Sequence, residues 1–404
     1  MEEKHLLNEI RRSGEEIEPE LIEIRRLLHR HPEASMKEYQ TSAIIAEQLE
    51  TIDGVQVYKG LAGGTGVMGI LHGQDEGNGK CLLLRADIDA LPVEEKNGLP
   101  FASENPGFMH ACGHDSHAAW VLGAAEILSR LRDQFSGTVK FVFQPGEEAG
   151  KGAREMVEQD HILEKPKVDM AFAAHAWPSI DAGKIGIARR YAFGCAGGFS
   201  LQIRGKGGHG SWPHRAVNPI LTASEIALKF SRLLTQQIDA VKPAVISVGS
   251  IHAGEQKAGN IIPDTCMMTG TIRAAEVSVM EDMIQKMERM ISLTCEADGC
   301  TYDFRPHIGI SGVRNNPELV DLCREKAEDI LGRGNAFIIE HDNLGGDNFK
   351  EISSRVPSCY FYVGIRNEDL AEEFSLHSPK FMLEESVIRK AAETMAWIGM
   401  TYLK

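Results

Sequence analysis

Residues 108–120 have the sequence FMHACGHDSHAAW, in which five metal-ligating or reactive side chains occupy eight positions. They are His110, Cys112, His114, Asp115 and His117. Apolar residues then recur at helical spacing through DSHAAWVLGAAEILSRL, with Asp115 as a favourable N-cap. The stretch therefore predicts a loop of reactive side chains that leads directly into a helix.

Apolar runs lie on both sides of this stretch. CLLLRADI, GTVKFVFQP and VDMAFAAHAW occupy residues 81–88, 137–145 and 168–177. Continuous apolar runs of this length are typical of strands buried on both faces, and their alternation with helices indicates an α/β fold. We therefore predict a mostly parallel sheet, with the reactive loop at its carboxyl edge, where such folds bind ligands.

The middle third of the chain has a different pattern. Strand-like and helix-like segments follow one another in the order β-α-β-β-α-β, which is typical of a ferredoxin-like layer of sheet and helices. The pattern predicts an inserted domain over residues 191–309, because apolar strand-like sequence resumes later at VPSCYFYVGI. Residues 1–190 and 310–404 are then predicted to form the catalytic domain.

Bulk composition excludes several classes of function. The formal net charge of the 404-residue chain is −15, without a long Lys/Arg run, which argues against nucleic acid as a partner. No run of 18 apolar residues and no signal-peptide pattern occurs, so neither a membrane span nor secretion is expected. The eight cysteines are scattered, which predicts reduced thiols in a cytoplasmic protein.

Three further segments bring matching side chains to the same predicted sheet edge: FQPGEEAGKG, AAHAWP and SLHSPKF. The candidate metal ligands are Cys112, His114, Glu148, His175 and His377. Thiolate, imidazole and carboxylate ligands suit zinc, and also manganese, cobalt or nickel. Five ligands exceed the need of one catalytic zinc, so we predict two divalent metal ions that share Cys112 as a bridging thiolate.

Glu147 is assigned to proton transfer, and Asp89 is assigned to the orientation of a metal ligand. Neighbouring residues of an extended chain point in opposite directions, so we assign Glu148 to the metals and Glu147 to removal of a proton from the attacking water. Asp89, in RADIDALP, is predicted to orient a ligating imidazole. His117 is predicted to pack beside the site and His110 to be a loop histidine.

Two other functions remain open from the residues alone. Cys112 precedes a helix N-terminus and has histidines nearby, as in a thiol-dependent amidase. That interpretation leaves Glu147, Glu148 and the distant histidines unexplained. A non-enzymatic metal-binding protein is the second alternative, and Glu147 argues against it because a metal binder needs no general base.

The motifs MHACGHDSHAA, FQPGEEAGKGA, AAHAWP, GKGGHGSWPHRAVNPI, NIIPDTCMMTGTIRA and HSPKF together resemble the bacterial amidohydrolase branch of the co-catalytic metallopeptidases. That branch includes hippurate hydrolase, N-acyl-amino-acid amidohydrolases and plant auxin-conjugate hydrolases. The resemblance covers nearly the whole chain in the same order. It implies a two-metal catalytic domain, an inserted lid domain that also dimerises, and hydrolysis of the amide between an acyl group and an amino acid.

The resemblance also implies residue roles. By motif position the five candidate ligands correspond to the family's metal ligands, Glu147 to its general base and Asp89 to its aspartate beside the metals. His209 matches a histidine that reaches the partner subunit's active site. Asn260 and Arg273 match residues near the substrate carboxylate.

One segment departs from the family pattern. Many relatives carry Ser-Glu-Asp-Phe late in the catalytic domain, whereas this chain has LGGDNF at residues 344–349. Asp347 and Asn348 stand where the acidic pair would be. The departure bears on pocket shape and substrate choice rather than on the hydrolytic chemistry.

Overall fold

The computed structural model describes residues 2–74, 79–341, 343–367 and 375–404. Its α-helices are α1 Glu2–Arg30, α2 Tyr39–Thr51, α3 His114–Arg130, α4 Gly152–Glu158, α5 Pro219–Gln236, α6 Val277–Asp298, α7 Pro317–Leu331, α8 Lys350–Ser353 and α9 Val387–Leu403. Its strands are β1 Val55–Leu61, β2 Gly66–His72, β3 Cys81–Asp87, β4 Thr138–Gln144, β5 Met170–Asp181, β6 Ile185–Ala188, β7 Tyr191–Phe193, β8 Cys195–Arg204, β9 Gly208–His209, β10 Ala244–Ala253, β11 Ile261–Ile262, β12 Thr265–Ala274, β13 Thr301–Ile310, β14 Val313–Arg314, β15 Ala336–Ile339 and β16 Ser358–Arg366.

Contacts divide the chain into two compact units. The first contains Met1–Ala192, Val313–His341 and Asn348–Lys404, and the second contains Phe193–Gly312 with Asp342–Asp347. The predicted insertion boundaries, 191 and 309, lie within a few residues of the long segment of the second unit. The first unit is therefore assembled from segments that precede and follow the long segment of the second unit in the sequence.

The first unit is built on a large mixed sheet. Among the described residues its strand order is β1-β2-β4-β3-β5-β16-β6-β15. The central neighbours β4, β3, β5 and β16 pair in parallel, whereas β1, β2 and β4 pair antiparallel at one side. Every residue of β3 and β4 is buried, which explains their continuous apolar sequences. The predicted α/β class with a mostly parallel sheet is confirmed.

Helices α1, α3 and α9 pack against one another, and α3 and α9 also contact β3. Helix α3 is buried on nearly every side because it lies between β3 and these two helices. The prediction that Asp115 caps α3 is wrong: the N-cap is Gly113, and Asp115 lies inside the first turn. Its carboxylate is instead committed to long-range partners on α1.

A buried ion pair joins α1 to the start of α3. Arg25 Nε lies 2.8 Å from Asp115 Oδ2, and the two side chains are at most 2% exposed. His29 Nδ1 lies 2.7 Å from the same oxygen, and its Nε2 lies 3.1 Å from Glu95 Oε1. Asp115, which directly follows His114, is thereby held to α1.

The second unit contains an antiparallel sheet in the order β10-β12-β8-β13. Its elements follow the β-α-β-β-α-β order, with β8, α5, β10, β12, α6 and β13 as the main segments. Helices α5 and α6 contact each other and the sheet. Phe199, Phe230 and Met283 belong to its separate apolar core. In the described part of the chain, no helix combines the length and the apolarity needed to cross a membrane.

The Arg25–Asp115 pair gives a prediction about stability. Removal of one partner of a buried pair leaves an uncompensated charge and typically costs about 3–5 kcal/mol. We expect Arg25→Ala to lower the midpoint of urea unfolding strongly. The control is Arg12→Ala, on the same helix, because Arg12 pairs with Glu9 while its side chain is 65% exposed; such pairs contribute about 1 kcal/mol or less. Equal shifts for the two variants would contradict a structural role for the buried pair.

Candidate metal centre

Five predicted ligands lie together at the carboxyl edge of the parallel strands. The atoms of Cys112, His114 and His175 that could bind a metal lie within 4.8 Å of one another. The corresponding atoms of Cys112, Glu148 and His377 form a second group with the same spacing. Cys112 belongs to both groups, so the two sets of ligands share one sulfur.

His114 is oriented by Asp89. Its Nδ1 donates a hydrogen bond to the Asp89 backbone carbonyl at 2.9 Å and lies 3.3 Å from the Asp89 carboxylate. Nε2 of His114 is buried and has no hydrogen-bond partner among the described residues. With its proton on Nδ1, the neutral form of the ring would present the lone pair of Nε2 to a metal in the cluster.

His175 has the same arrangement on another strand. Its Nδ1 donates to the backbone carbonyl of Ala176 at 2.8 Å, and its Nε2 lies 3.4 Å from Cys112 Sγ. His175 lies inside β5. The pairing of β3 with β5 ends at Arg85 and Ala173, so His175 lies beyond it.

His377 closes the cluster from the C-terminal part of the chain. Its Nε2 lies 3.4 Å from Cys112 Sγ and 3.5 Å from Glu148 Oε1. Its backbone N–H donates to the carbonyl of Ala111 at 2.8 Å, which anchors it next to the cysteine. The side chain is 55% exposed, so the cluster is open to solvent on this side.

Glu147 and Glu148 lie in a turn after β4, and the extended-chain argument that separated their roles is therefore wrong. Both backbone N–H groups donate to the Asp89 carboxylate, at 3.1 and 3.0 Å. Carboxylate oxygens of both glutamates lie within 4.8 Å of a His114 ring nitrogen. The division of labour between them stays a prediction.

The electrostatics of the cluster fit a divalent cation. Burial disfavours a charged ring, but the carboxylates of Asp87 and Asp89 outweigh it and raise the pKa of His114. Burial raises the pKa of the Cys112 thiol and of the Glu148 carboxyl. Glu148 Oε1, like His114 Nε2, is buried without a hydrogen-bond partner among the described residues. Leaving such atoms unpaired costs about 1–3 kcal/mol each, a penalty that a bound metal ion removes.

His117 and His110 differ from the ligands. His117 Nδ1 lies 2.6 Å from Asp87 Oδ1, and its Nε2 accepts the backbone N–H of Ala176 at 2.9 Å. Both ring nitrogens are therefore used, which leaves no lone pair for a metal. His110 is 1% exposed, and burial lowers its pKa to about 4. It lies in the loop before α3, as predicted, and is buried there.

The sequence interpretation missed Asp87 and Arg85. Asp87 accepts from Arg85 Nη1 at 2.7 Å and contacts His117, and both acid and guanidinium are fully buried. The available signal was the arginine inside the apolar run CLLLRADI, because a buried guanidinium requires acceptors close by.

The remaining predicted residues lie in the second unit. His209 pairs with Ile261 in a short two-stranded ribbon, and a cavity of about 530 Å³ is lined by this ribbon and by Asn260. His209 Nδ1 accepts the backbone N–H of Ser211 at 3.1 Å, which places the proton of the neutral ring on Nε2. Arg273 Nη1 donates to the carbonyls of Gly197 and Ile272, both at 3.0 Å.

Comparison with known proteins agrees with this geometry. Residues 83–398 match the family model described as Peptidase family M20/M25/M40. The chain belongs to this peptidase family. The predicted resemblance to the co-catalytic metallopeptidases is thus confirmed at the level of the family. The prediction that the protein is a hydrolase is also confirmed.

The chain is similar to curated proteins and to solved structures over most of its length. Thermostable carboxypeptidase 1 of Saccharolobus solfataricus is 36% identical over 401 residues, 98% of this chain and 99% of the relative. The N-acyl-L-amino acid amidohydrolase of Geobacillus stearothermophilus is 36% identical over 310 residues, 77% of this chain and 82% of the relative. The Bacillus subtilis YXEP protein, a dinuclear metal binding peptidase from the M20 family, superposes with a TM-score of 0.81 at 29% identity, covering 96% of this chain and 99% of that one.

Gly113 gives a prediction about metal affinity. It separates Cys112 from His114, has φ +86°, and an added Cβ would lie 3.0 Å from the Cβ of Ala176. The left-handed conformation costs a non-glycine residue about 1–2 kcal/mol, and relief of this strain would shift both neighbouring ligands. We expect Gly113→Ala to weaken metal binding about 10–100-fold, the range seen when support of metal ligands is lost.

The matched control is Gly98→Ala, measured in the same equilibrium metal titration. Gly98 has φ +72° with nothing within 4 Å of an added Cβ and no candidate ligand next to it. It reproduces the backbone strain alone, so its metal affinity should equal that of the wild type. An unchanged affinity in Gly113→Ala would contradict the inferred geometry of the Cys112–His114 segment.

Proposed function

We propose that this protein is a metal-dependent amidohydrolase that cleaves the amide bond of N-acyl amino acids or of short dipeptide-like amides. The observation that carries the proposal is that ring nitrogens of three histidines and one carboxylate oxygen lie close to the sulfur of Cys112. A family relative named for hydrolysis of N-acyl amino acids supports the substrate class.

The proposed ligands of two divalent ions are Cys112, His114, Glu148, His175 and His377. Support comes from the two ligand groups that share Cys112 and from the dinuclear metal binding described for the Bacillus subtilis relative. Zinc, manganese, cobalt and nickel all suit this mixture of donors. When bound, such ions act as Lewis acids that polarise a carbonyl and acidify water.

Glu147 is the proposed general base. It is partly buried, and its carboxylate lies beside the His114 ring nitrogen without belonging to the group around Cys112 and His377. In this position it would take a proton from the attacking water and pass it to the leaving amine. Asp89 would hold His114 through the two contacts at its Nδ1 and both glutamates through their backbone N–H groups.

The thiol-dependent alternative is less well supported. It gives no role to Glu147, Glu148 or the histidines that lie close to the Cys112 sulfur. The sulfur lies among imidazole nitrogens and a carboxylate, which are the partners of a metal-bridging thiolate. A purely metal-binding role gives no purpose to Glu147.

The second unit is proposed to act as a lid and to supply substrate contacts. The tautomer of His209 leaves Nε2–H as the donor, which is what stabilisation of an oxyanion requires. Arg273 and Asn260 would recognise the substrate carboxylate, since a guanidinium binds carboxylates in bidentate fashion. Nη1 of Arg273 is already committed to backbone carbonyls, so recognition would use its other nitrogens.

A homodimer through the second unit completes the proposal. Within the described residues β10 forms one edge of the second sheet, and Val245 and Ile251 on it are exposed. Helix α5, which contacts β10, exposes Leu221 and Leu228, at 67% and 70%. An exposed apolar edge strand favours pairing with a second copy. All eight cysteines lie within the described residues and none of them forms a disulfide, which supports the proposed cytoplasmic location.

The proposed function predicts metal-dependent hydrolysis. We expect release of free amino acid from at least one of the acetyl-, benzoyl- and indoleacetyl-amino acids or simple dipeptides. Chelation should abolish the activity, and added zinc, manganese, cobalt or nickel should restore it. Alkylation of Cys112 in the metal-free protein should prevent added metal from restoring activity, and bound metal should slow the alkylation. Full activity in protein verified to be free of metal would contradict the proposal.

The role of His209 predicts complementation between subunits. His209→Ala and Glu147→Gln dimers should each be nearly inactive, since an oxyanion donor contributes about 10²–10³ and a general base about 10²–10⁴ in rate. After subunit exchange half of the dimers are mixed, and each mixed dimer has one complete site of two. Activity should return to about a quarter of wild type for this two-fold arrangement. No recovery despite verified exchange would place His209 in its own subunit or outside catalysis.

A further inference from the structure

The segment LGGDNF, residues 344–349, places the buried residue Asn348 next to Glu147, the candidate general base. Asn348 is 3% exposed, and its Oδ1 accepts hydrogen bonds from Gln144 Nε2 at 2.8 Å and Arg85 Nη2 at 3.1 Å. Its Nδ2 donates to the carbonyl of Gly146 at 3.3 Å. The side chain therefore uses its acceptor and its donor on different partners.

These partners fix the orientation of the amide. A flip would turn Nδ2 towards Arg85 and Gln144, both of which donate, and would leave the Gly146 carbonyl without its donor. Arg85 is itself held, because its Nε donates to Gln144 Oε1 at 2.9 Å and its Nη1 to Asp87 at 2.7 Å. Asn348 is thus locked to the ends of β3 and β4.

Two contacts of Asn348 converge on Glu147. The backbone N–H of Asn348 donates to Glu147 Oε1 at 3.2 Å, and its side chain bonds to Gly146, the preceding residue. Gly146 has φ +65°, its N–H donates to Glu38 Oε1 at 2.9 Å, and an added Cβ would lie 2.4 Å from Met36 Sδ. The residue before Glu147 is therefore fixed at its N–H and at its carbonyl.

We propose that Asn348 is a positioning residue for Glu147: it holds one carboxylate oxygen through its backbone N–H and fixes the preceding peptide through its side chain. The carboxylate then keeps a single orientation for proton transfer. The inference rests on the proposed function, because it takes Glu147 as the general base. It assigns a purpose to the residue at which this chain departs from the Ser-Glu-Asp-Phe pattern.

An aspartate at this position would satisfy only half of the network. Its oxygens could accept from Arg85 and Gln144, but it has no donor for the Gly146 carbonyl and would place a carboxylate oxygen against that carbonyl. Asn348→Asp therefore keeps the attachment to the strands and removes the attachment to the residue before Glu147. Asn348→Ala removes both.

The first test separates kcat from KM on the best N-acyl amino acid substrate. Displacement of a catalytic group by about 1 Å can cost about 10²-fold in rate. We expect Asn348→Ala to lower kcat about 10–100-fold and Asn348→Asp up to about tenfold, with unchanged KM. Metal content by elemental mass spectrometry, and the visible spectrum of the cobalt-loaded protein, should equal those of the wild type.

The matched control is Asn315→Ala in the same unit. Asn315 is 1% exposed, its Nδ2 donates to the carbonyls of Ala188 and Tyr360, and its Oδ1 accepts the N–H of Tyr360. Its loss should lower the unfolding midpoint as a buried amide does, while kcat stays within about twofold of wild type. This control separates general destabilisation from positioning.

A double-mutant cycle decides whether Asn348 acts through Glu147. In the Glu147→Gln background, Asn348→Ala should cause no further loss of kcat. Three results would each overturn the inference without touching the proposed function. They are a fully multiplicative loss of kcat in the double variant, a loss of bound metal in Asn348→Ala, and wild-type kcat in Asn348→Ala. If Asn348→Ala does not fold, Asn348→Asp carries the same cycle. Wild-type kcat in Glu147→Gln would instead overturn the proposed general base, and the inference with it.

Discussion

The carboxylate and carbonyl of Asp89 connect the separate segments of the candidate site. The carbonyl accepts from His114, while the carboxylate accepts the backbone N–H groups of Glu147 and Glu148 and the hydroxyl of Ser35. Burial disfavours its ionised form, but the contacts with His114 and Ser35 outweigh this and keep the pKa of Asp89 below its usual range. A neutral side chain of the same shape would offer fewer acceptors, and the turn that carries both glutamates would lose its support.

Much of the first unit could be predicted from local sequence. Residues 81–88, 137–145 and 168–177 are mostly apolar because strands covered on both faces have no side exposed to solvent. The carboxyl ends of parallel neighbours meet at one edge, so ligands that are distant in the chain could be assigned to one place before the structure was known. The β-α-β-β-α-β order of the second unit followed from hydrophobic periodicity in the same way.

The errors have one physical origin, which is pairing over long sequence separations. Asp115 has the right residue type and place for a cap, yet its carboxylate is taken by Arg25 and His29 on α1. Glu147 and Glu148 follow a strand, but Asp89 accepts their N–H groups and bends them into a turn. The partners of Asn348, Arg85 and Gln144, lie 263 and 204 positions away. Local propensity contains no information about such partners.

The backbone hydrogen bond from His377 to Ala111 has a consequence for biosynthesis. Cys112 and His377 are separated by 265 positions, with the whole long segment of the second unit between them. During translation the N-terminal ligands emerge long before their final partner, and α9, which packs on α1 and α3, emerges after His377. Because ordering such distant segments precedes any gain from metal coordination, the ions would be captured by a chain that has already folded. Supply of metal in the cell would then control how many finished molecules are loaded, and loading would further stabilise the folded chain.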